Sequence, residues 1–571
     1  MKNREIAEIF NAIADILEVK DENTFRIRAY RKAAQNIEGL AEDIETLARE
    51  KKLNDIPGVG KDRAGKIEEY IESSRIKSFE SLKKSVSKPV LELMAVPGVG
   101  PKTAKLLCEK FKIKSVKDLA RKAARGRIKG VFGIKEKTVA NILRGIDFLK
   151  KSEEKTPLGT AIKISDEITS YLRRLPQVKR IQPAGSLRRM KETVRDIDIL
   201  VTSNKPRKVM DAFTKLDRVR EVLVHGPTKS SVITKDKIQV DVRVVEPSSF
   251  GSALCYFTGS KGHNIHLRKM ALRKGLKINE YGVFKARKNR KIAGKEEEDI
   301  YKALGLAYIP PEMREDKGEI ELALEDKLPR LLELKDIKGD LHVHSESSDG
   351  VLTFEEIASS CREVGYEYVV ITDHSKTLRV AGGLKEKELM RNVEKIRKLD
   401  KSEKKIRILA GTEVDILSDG SLDYDNSVLK ELDFVIAAVH SGFREPKEAL
   451  TKRIVKAMEN RFVHMIAHPT GRLMGVRGPY EIDLEKVFKV ARDTDTALEI
   501  NAYPERLDLD DNASRRAKEM GVTLGIATDM HVKEQFNNMR FGVSVARRGW
   551  LEKKNVLNTL SLEKFLERIK K

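Results

Sequence analysis

Cysteine is almost missing from this chain. Its 571 residues include three, Cys108, Cys255 and Cys361, with no Cys-x-x-Cys spacing. That argues against a disulfide framework or a thiolate zinc site and fits a reducing cytosol. No N-terminal signal pattern and no apolar run of membrane-spanning length is seen, so a cytoplasmic location is expected. Histidine is scarce and lopsided. Of ten, only His225, His263 and His266 precede residue 336, and the remaining seven hint at a metal site in the later part. A negative balance is also lacking. Lys and Arg number 112 against 88 Asp and Glu, a formal charge of +24. Residues 336–571 hold forty of each sign, so the first 335 carry the whole excess and are expected to meet a polyanion. The length implies several domains, each with its own core.

What is present begins at Gly185-Ser186-Leu187-Arg188-Arg189, followed by Asp196-Ile197-Asp198-Ile199-Leu200-Val201. The second run alternates as a strand, so Asp196 and Asp198 share one face and Ile197 and Ile199 face a core. Two adjacent carboxylates repel unless a cation lies between them, and hard oxygen ligands suit Mg²⁺. Gly185 and Ser186 can offer backbone N–H groups and a hydroxyl to a phosphate, with Arg188 or Arg189 as counter-charge. A second strand, Ile238 to Val245, presents Asp241 opposite its valines, and this third carboxylate would complete a two-metal site. A bare Asp-x-Asp is more often a solvated strand edge; the Gly-Ser-x-Arg-Arg run and the lone acid on the next strand favour the metal site.

This combination resembles the nucleotidyltransferase palm of the family X DNA polymerases, the DNA polymerase beta family. The resemblance implies that Asp196, Asp198 and Asp241 are catalytic and bind two Mg²⁺ or Mn²⁺ ions. It further implies that Gly185, Ser186 and Arg189 meet the nucleotide's phosphates. Arg195 stands where the family often has Gly. Downstream, Tyr256-Phe257-Thr258-Gly259 resembles the family's turn against the incoming sugar, implying nucleotide contacts from Tyr256, Phe257, Gly259 and Asn264, and a template-strand contact from Arg268. Lys261 replaces a common family acid.

Residues 1–80 read as amphipathic helices, with Ile6, Ile9, Phe10, Ile13, Ala14 and Leu17 at helical spacing and a basic helix from Phe25 to Ala34. A motif then repeats: Ile56-Pro57-Gly58-Val59-Gly60, Val96-Pro97-Gly98-Val99-Gly100 and a weaker Val131-Phe132-Gly133-Ile134-Lys135. Helix, Gly-x-Gly turn, helix lets backbone N–H groups approach a DNA phosphate without reading sequence, through Gly58, Gly60, Gly98 and Gly100. This is the helix-hairpin-helix pattern. In DNA polymerase beta the first such hairpin belongs to a lyase domain with a Schiff-base lysine. The matching residue here is Lys66, catalytic if that activity is present and a plain phosphate contact if not. Asp62 stands where the family often has a second Lys.

After Lys338, seven short apolar runs alternate with helical stretches, and six end in His, Asp or Glu and one in Asn501, as parallel strands of an α/β barrel end at its active site. His342-x-His344 and Asp529-x-His531 each put two ligands on one face. Mixed His and carboxylate ligands favour Zn²⁺, Mn²⁺ or Fe²⁺, and their number implies a cluster of two or three ions. The pattern resembles the polymerase and histidinol phosphatase (PHP) domain. The matching metal positions are His342, His344, Asp349, His374, Glu413, His440, His468, Asp529 and His531; His464 falls outside it and reads as structural.

The expected fold is multidomain. Helix-hairpin-helix domains occupy 1–80 (like the polymerase beta lyase domain) and 81–150 (fingers). An α+β palm (151–250) and thumb (251–318) follow, then a charged helical linker (319–335) and a seven-stranded (β/α) PHP barrel (336–571). The family X resemblance implies a template-directed, gap-filling DNA polymerase acting on dNTPs and gapped or primer–template DNA in base excision repair, in a prokaryotic nucleoid. The barrel is expected to act as a 3′→5′ exonuclease with Mn²⁺ or Zn²⁺. Abasic-site endonuclease and deoxyribose-phosphate lyase activities stay open. So do two rivals: a barrel fused as a small-molecule phosphatase, and a DNA-binding scaffold with an inactive palm.

Overall fold

The computed structural model describes residues 2–38, 44–56, 58–73, 75–94, 96, 99–124, 128, 155–287 and 290–570. Its contacts divide it into two units. One comprises Met1–Lys155, Ile265–Ile278 and Phe284–Arg290; the other comprises Thr156–Asn264, Asn279–Val283 and Lys291–Lys571. Among the described residues no helix is long and apolar enough to cross a membrane.

In the first unit the helix Lys2–Val19 buries Ile6, Phe10, Ile13, Ala14 and Leu17 against the helix Thr24–Glu38. Phe10 and Tyr30 meet edge to face at 5.4 Å. Phe25, in contrast, is 77 % exposed. A second core gathers Val90, Leu93, Val96, Val99, Ala104 and Leu107. Both hairpin turns close alike. Val59 N–H donates to Ile56 O and Val99 N–H to Val96 O, each at 2.9 Å; Ala64 N–H donates to Gly60 O and Ala104 N–H to Gly100 O, again at 2.9 Å. Gly58 is at φ +90°, where a Cβ would come 3.0 Å from Ala33 N, so only glycine fits. Gly98, the prolines at 57 and 97, and the third repeat lie outside the described residues.

The second unit opens with a five-stranded sheet in the order Val178–Pro183, Asp196–Ser203, Gln239–Val244, Lys229–Thr234, Val219–His225. Only the central pair, Asp196–Ser203 and Gln239–Val244, is parallel, with Asp198 opposite Asp241. Seven fully parallel strands follow: Gly339–Val343, Tyr368–Ile371, Arg407–Asp415, Phe434–Ala438, Met465–Ile466, Ala497–Asn501 and Leu524–Ala527. A parallel bridge between Val343 and Met530 brings the last strand back to the first, giving a nearly closed barrel. Its strand residues are buried apart from Arg407, as expected of parallel strands covered on both faces. Within 319–335 only Glu319–Leu324 is α-helical; Pro329 lies within the irregular stretch that follows. Palm and barrel residues share one continuous apolar core. A Cβ at Gly159 would lie 2.6 Å from Pro504 Cβ, so the two sets of elements pack without a gap.

Candidate active sites

The palm strand Asp196–Ser203 alternates as its sequence does. Ile197 and Ile199 are buried, while Asp198 is part-buried and Asp196 exposed on the other face. Asp241, across the parallel pairing from Asp198, accepts from Gln239 Nε2 at 2.9 Å and lies 3.7 Å from Lys229 Nζ. Burial, then the Asp196 and Asp241 charges, push the Asp198 carboxyl up to about 7. Burial and then Asp241 also raise Asp196. Three neighbouring carboxylates, two of them raised, are a donor set that divalent cations would relieve. Gly185 sits beside them at φ +66°, and a Cβ there would come 2.8 Å from Asp198 Oδ2. The glycine therefore makes room for the carboxylate.

The two arginines of the Gly-Ser-x-Arg-Arg run have different partners. Arg188 makes a bidentate pair with Glu297, at 2.9 and 2.8 Å, and donates to Thr258 Oγ1 at 2.9 Å. Glu297 also accepts from the wholly buried Arg314 at 2.5 Å, so Arg188 belongs to a structural ion cluster. Arg189 donates from Nε to Glu315 at 3.0 Å and from Nη1 to Thr258 O at 2.5 Å. Gly259 turns beneath it at φ +71°, where a Cβ would be 3.2 Å from Arg189 Nη1. Tyr256 and Phe257 meet edge to face at 5.1 Å, and Tyr256 O accepts from Asn264 Nδ2 at 2.7 Å. Ser186 lies in the short helix Gly185–Arg188, and Arg268 lies four residues after Asn264 on the helix Lys261–Arg273. In the other unit Lys66 is ion-paired with Asp62, whose carboxyl is held below its usual range first by that hydrogen bond. Tyr30 Oη adds a hydrogen bond to Asp62 at 3.2 Å.

At the C-terminal mouth of the barrel, the structure gathers eight of the nine expected ligands into three overlapping groups. They are His344, Asp349, His374 and His531; His342, His344 and Asp529; and His374, Glu413 and His440. His468 joins none of these but places Nε2 2.9 Å from Glu413 Oε1. His342, His344, Glu413 and His468 form the buried floor, while Asp349 and His531 are about a third exposed at the rim. Asp529 and His531 stand just beyond the strand Leu524–Ala527, with Asp529 at φ +53°.

Several ligand atoms point at one another without bonding. His342 Nε2, both nitrogens of His344, His374 Nδ1, Glu413 Oε2 and His468 Nδ1 are buried without a hydrogen-bond partner. His374 Nδ1 lies 2.8 Å from Glu413 Oε2 and still makes no hydrogen bond. Buried polar atoms are normally satisfied, so this convergence fits metal ions. The outward nitrogens are anchored: His342 Nδ1 on Glu499 at 2.8 Å, His440 Nδ1 on Asp415 at 2.5 Å, and His531 Nδ1 on Asp529 O at 2.8 Å. Each anchor leaves Nε2 as the ligand atom. Burial and the neighbouring His374 push His344 down to about 3, keeping the ring neutral with one nitrogen lone pair available. Burial also depresses His374, but Glu413 and Asp349 outweigh it and raise it to about 10.

Sequence reasoning missed Glu499 and Asp415. Glu499 also accepts from His468 N–H at 2.5 Å and from Asn501 Nδ2 at 3.2 Å. An acid inside the apolar run Ala-Leu-Glu-Ile-Asn was the available signal. His464 is structural, as its position outside the pattern suggested: Nδ1 accepts from Val435 N–H at 3.0 Å, and the ring stacks on Phe434.

Family models match along the chain: a helix-hairpin-helix domain over residues 1–76, a SAM-like helix-hairpin-helix tandem over 90–147, a DNA polymerase beta thumb over 253–315 and a PHP domain over 340–502. A protein of Bacillus subtilis (strain 168), named DNA polymerase/3′-5′ exonuclease PolX, is 39 % identical over 573 residues, covering the whole of both chains. Rat DNA polymerase lambda is 26 % identical over 347 residues, 55 % of this chain and 56 % of that one. A probable phosphatase of Thermoanaerobacter sp. (strain X514) is 30 % identical over 231 residues, 38 % of this chain and 89 % of its own. The fold and both sites define a nucleotidyltransferase joined to a metal-dependent phosphoesterase. The chain belongs to the family X DNA polymerases that carry a C-terminal PHP domain.

Proposed function

We propose that this chain fills gaps in DNA during base excision repair and trims 3′ ends at its barrel, acting on the chromosome of a prokaryotic cell. The observation that carries the polymerase reading is the cluster of three carboxylates, with Asp198 raised to about 7 by burial and its neighbours. Asp196, Asp198 and Asp241 would hold two Mg²⁺ or Mn²⁺ ions. When bound, such ions neutralise the triphosphate and ease deprotonation of the primer 3′-hydroxyl. Ser186, the Gly185 backbone and Arg189 would hold the phosphates, and Tyr256, Phe257 and Asn264 the sugar and base. The primer oxygen attacks the α-phosphate, its bond to the bridging oxygen breaks, and pyrophosphate leaves.

The barrel's convergent, unbonded ligand atoms support a cluster of Mn²⁺ or Zn²⁺ ions that would supply Lewis acidity for phosphodiester hydrolysis. The nearly neutral barrel relies on the basic part of the chain to hold DNA. Its exposed ligands, Asp349 and His531, mark the side from which a strand end enters.

One gapped, end-labelled DNA tests both sites in Mn²⁺, with and without dNTPs. Asp196→Ala should abolish extension and leave 3′ shortening; His344→Ala should do the reverse. Loss of both activities in either variant would overturn the two-site reading. Extension without any shortening would make the barrel a phosphatase or an endonuclease, to be tried on small phosphate esters and abasic DNA. For Lys66, borohydride trapping of a 5′-deoxyribose-phosphate adduct decides between lyase nucleophile and phosphate contact, because the amine must first leave Asp62.

A further inference from the structure

Arg548 ends the helix Met539–Arg548, which belongs to the barrel part of the chain. That helix is seated tightly: a Cβ at Gly542 would lie 2.4 Å from Ile526 Cγ2 and 2.8 Å from Ala502 Cβ. The Arg548 side chain is 4 % exposed. Its Nη1 donates to the main-chain carbonyl of Arg189 at 2.8 Å and to Glu315 Oε1 at 3.1 Å; its Nη2 donates to Asp511 at 2.5 Å. Glu315 Oε1 is the same oxygen that accepts from Arg189 Nε at 3.0 Å. Arg189 Nη1 is held in turn by Thr258 O. One carboxylate oxygen is thus shared by an arginine of the palm and an arginine of the barrel.

We propose that Arg548 is a positioning residue for the polymerase reaction, fixing the backbone and sharing the carboxylate partner of Arg189 so that this guanidinium is aimed at the incoming triphosphate. The proposal rests on Arg189 being a nucleotide contact, as read above. The physical reason is competition between anions. With Arg548 in place, Glu315 is divided between two cations and binds Arg189 as a brace. Without it, Glu315 answers to Arg189 alone, and a triphosphate must displace a better-matched carboxylate. A fork with two nitrogens is needed to reach the Arg189 carbonyl, Glu315 and Asp511 together, which a lysine ammonium cannot reproduce.

The test is steady-state gap filling by the full chain, with dNTP varied. Arg548→Ala should raise the dNTP KM about tenfold, the size expected when one charge-assisted contact is lost. The kcat should stay within about twofold, and 3′ shortening should be unchanged. Arg548→Lys should recover part of the KM. Adding Glu315→Gln to Arg548→Ala should recover more, since it removes the competing charge; simple loss of packing would not be rescued this way. If Arg548→Ala cannot be purified folded, Arg548→Met keeps the stem and carries the same expectation. Arg189→Ala separates the two readings. If it leaves the dNTP KM unchanged, the nucleotide role of Arg189 fails and the relay with it. If it raises KM while Arg548→Ala and Arg548→Met do not, the relay alone is overturned. A fall in extension and shortening together in the Arg548 variants would also overturn it, making Arg548 a purely structural tie.

Discussion

Gly185 shows how tightly single residues are specified at the palm. It combines a left-handed backbone with an Asp198 oxygen that would sit 2.8 Å from any Cβ. Gly185→Ala should therefore displace Asp198 or the turn, and a shift of about an ångström at reacting groups costs roughly a hundredfold in rate. Single-nucleotide extension should fall by that amount with 3′ shortening retained; unchanged extension would show the turn is not part of the site. Glu297 is the residue-scale case for stability. Burial raises its carboxyl, but Arg314 and Arg188 outweigh this and hold it down at about 2, from an ordinary 4.5. A depressed folded value adds stability that is present above pH 4.5 and lost as pH falls through about 2. Glu297→Gln should cost roughly 3 kcal/mol at pH 7, as breaking a buried pair does. The loss should be smaller at pH 3, which urea midpoints at the two pH values would measure.

At the scale of elements, the barrel strand Ala497–Asn501 places Glu499 and Asn501 on one face, two residues apart. From there Glu499 fixes His342 through Nδ1, and Asn501 donates to Asp529 Oδ2 at 3.0 Å. Glu499→Gln should weaken metal loading or 3′ shortening about 10- to 100-fold, as is typical of outer partners of ligating histidines. Metal content after dialysis and exonuclease rate check this, with extension as the unaffected control. Strand periodicity made most of the ligands visible in the sequence because they end apolar runs; Asp349, in the polar stretch after His344, came only from the PHP resemblance. Glu499 and Asp415 were hidden because they sit within such runs and act only through histidines distant in sequence.

At the scale of the whole molecule, the uneven charge sets the interaction with DNA. Binding should weaken steeply with salt, in proportion to the phosphates neutralised, and a flat salt response would count against the basic part as the grip. Phe541, 3 % exposed, lies in the core shared by palm and barrel, about 4 Å from the Cβ position of Gly159. Phe541→Ala should cost roughly 3–5 kcal/mol. Because the core is continuous, extension and 3′ shortening should lose their thermal midpoints together; separate midpoints would show two independent cores.

The sequence by itself determined the helical hairpins, the palm carboxylates and the ring of barrel ligands. Each follows from local spacing: a Gly-x-Gly turn, a period of two along a strand, a ligand at a strand end. Tertiary structure alone decided which charges are shared. Arg188 became part of a buried cluster with Glu297. Palm and barrel, separated in the sequence by a charged segment, were joined by one core and by Arg548 reaching the carbonyl of Arg189. Those pairings span 109 and 359 residues of sequence. They depend on burial and on which cation comes within hydrogen-bond reach of which carboxylate, and no periodicity along the chain encodes that.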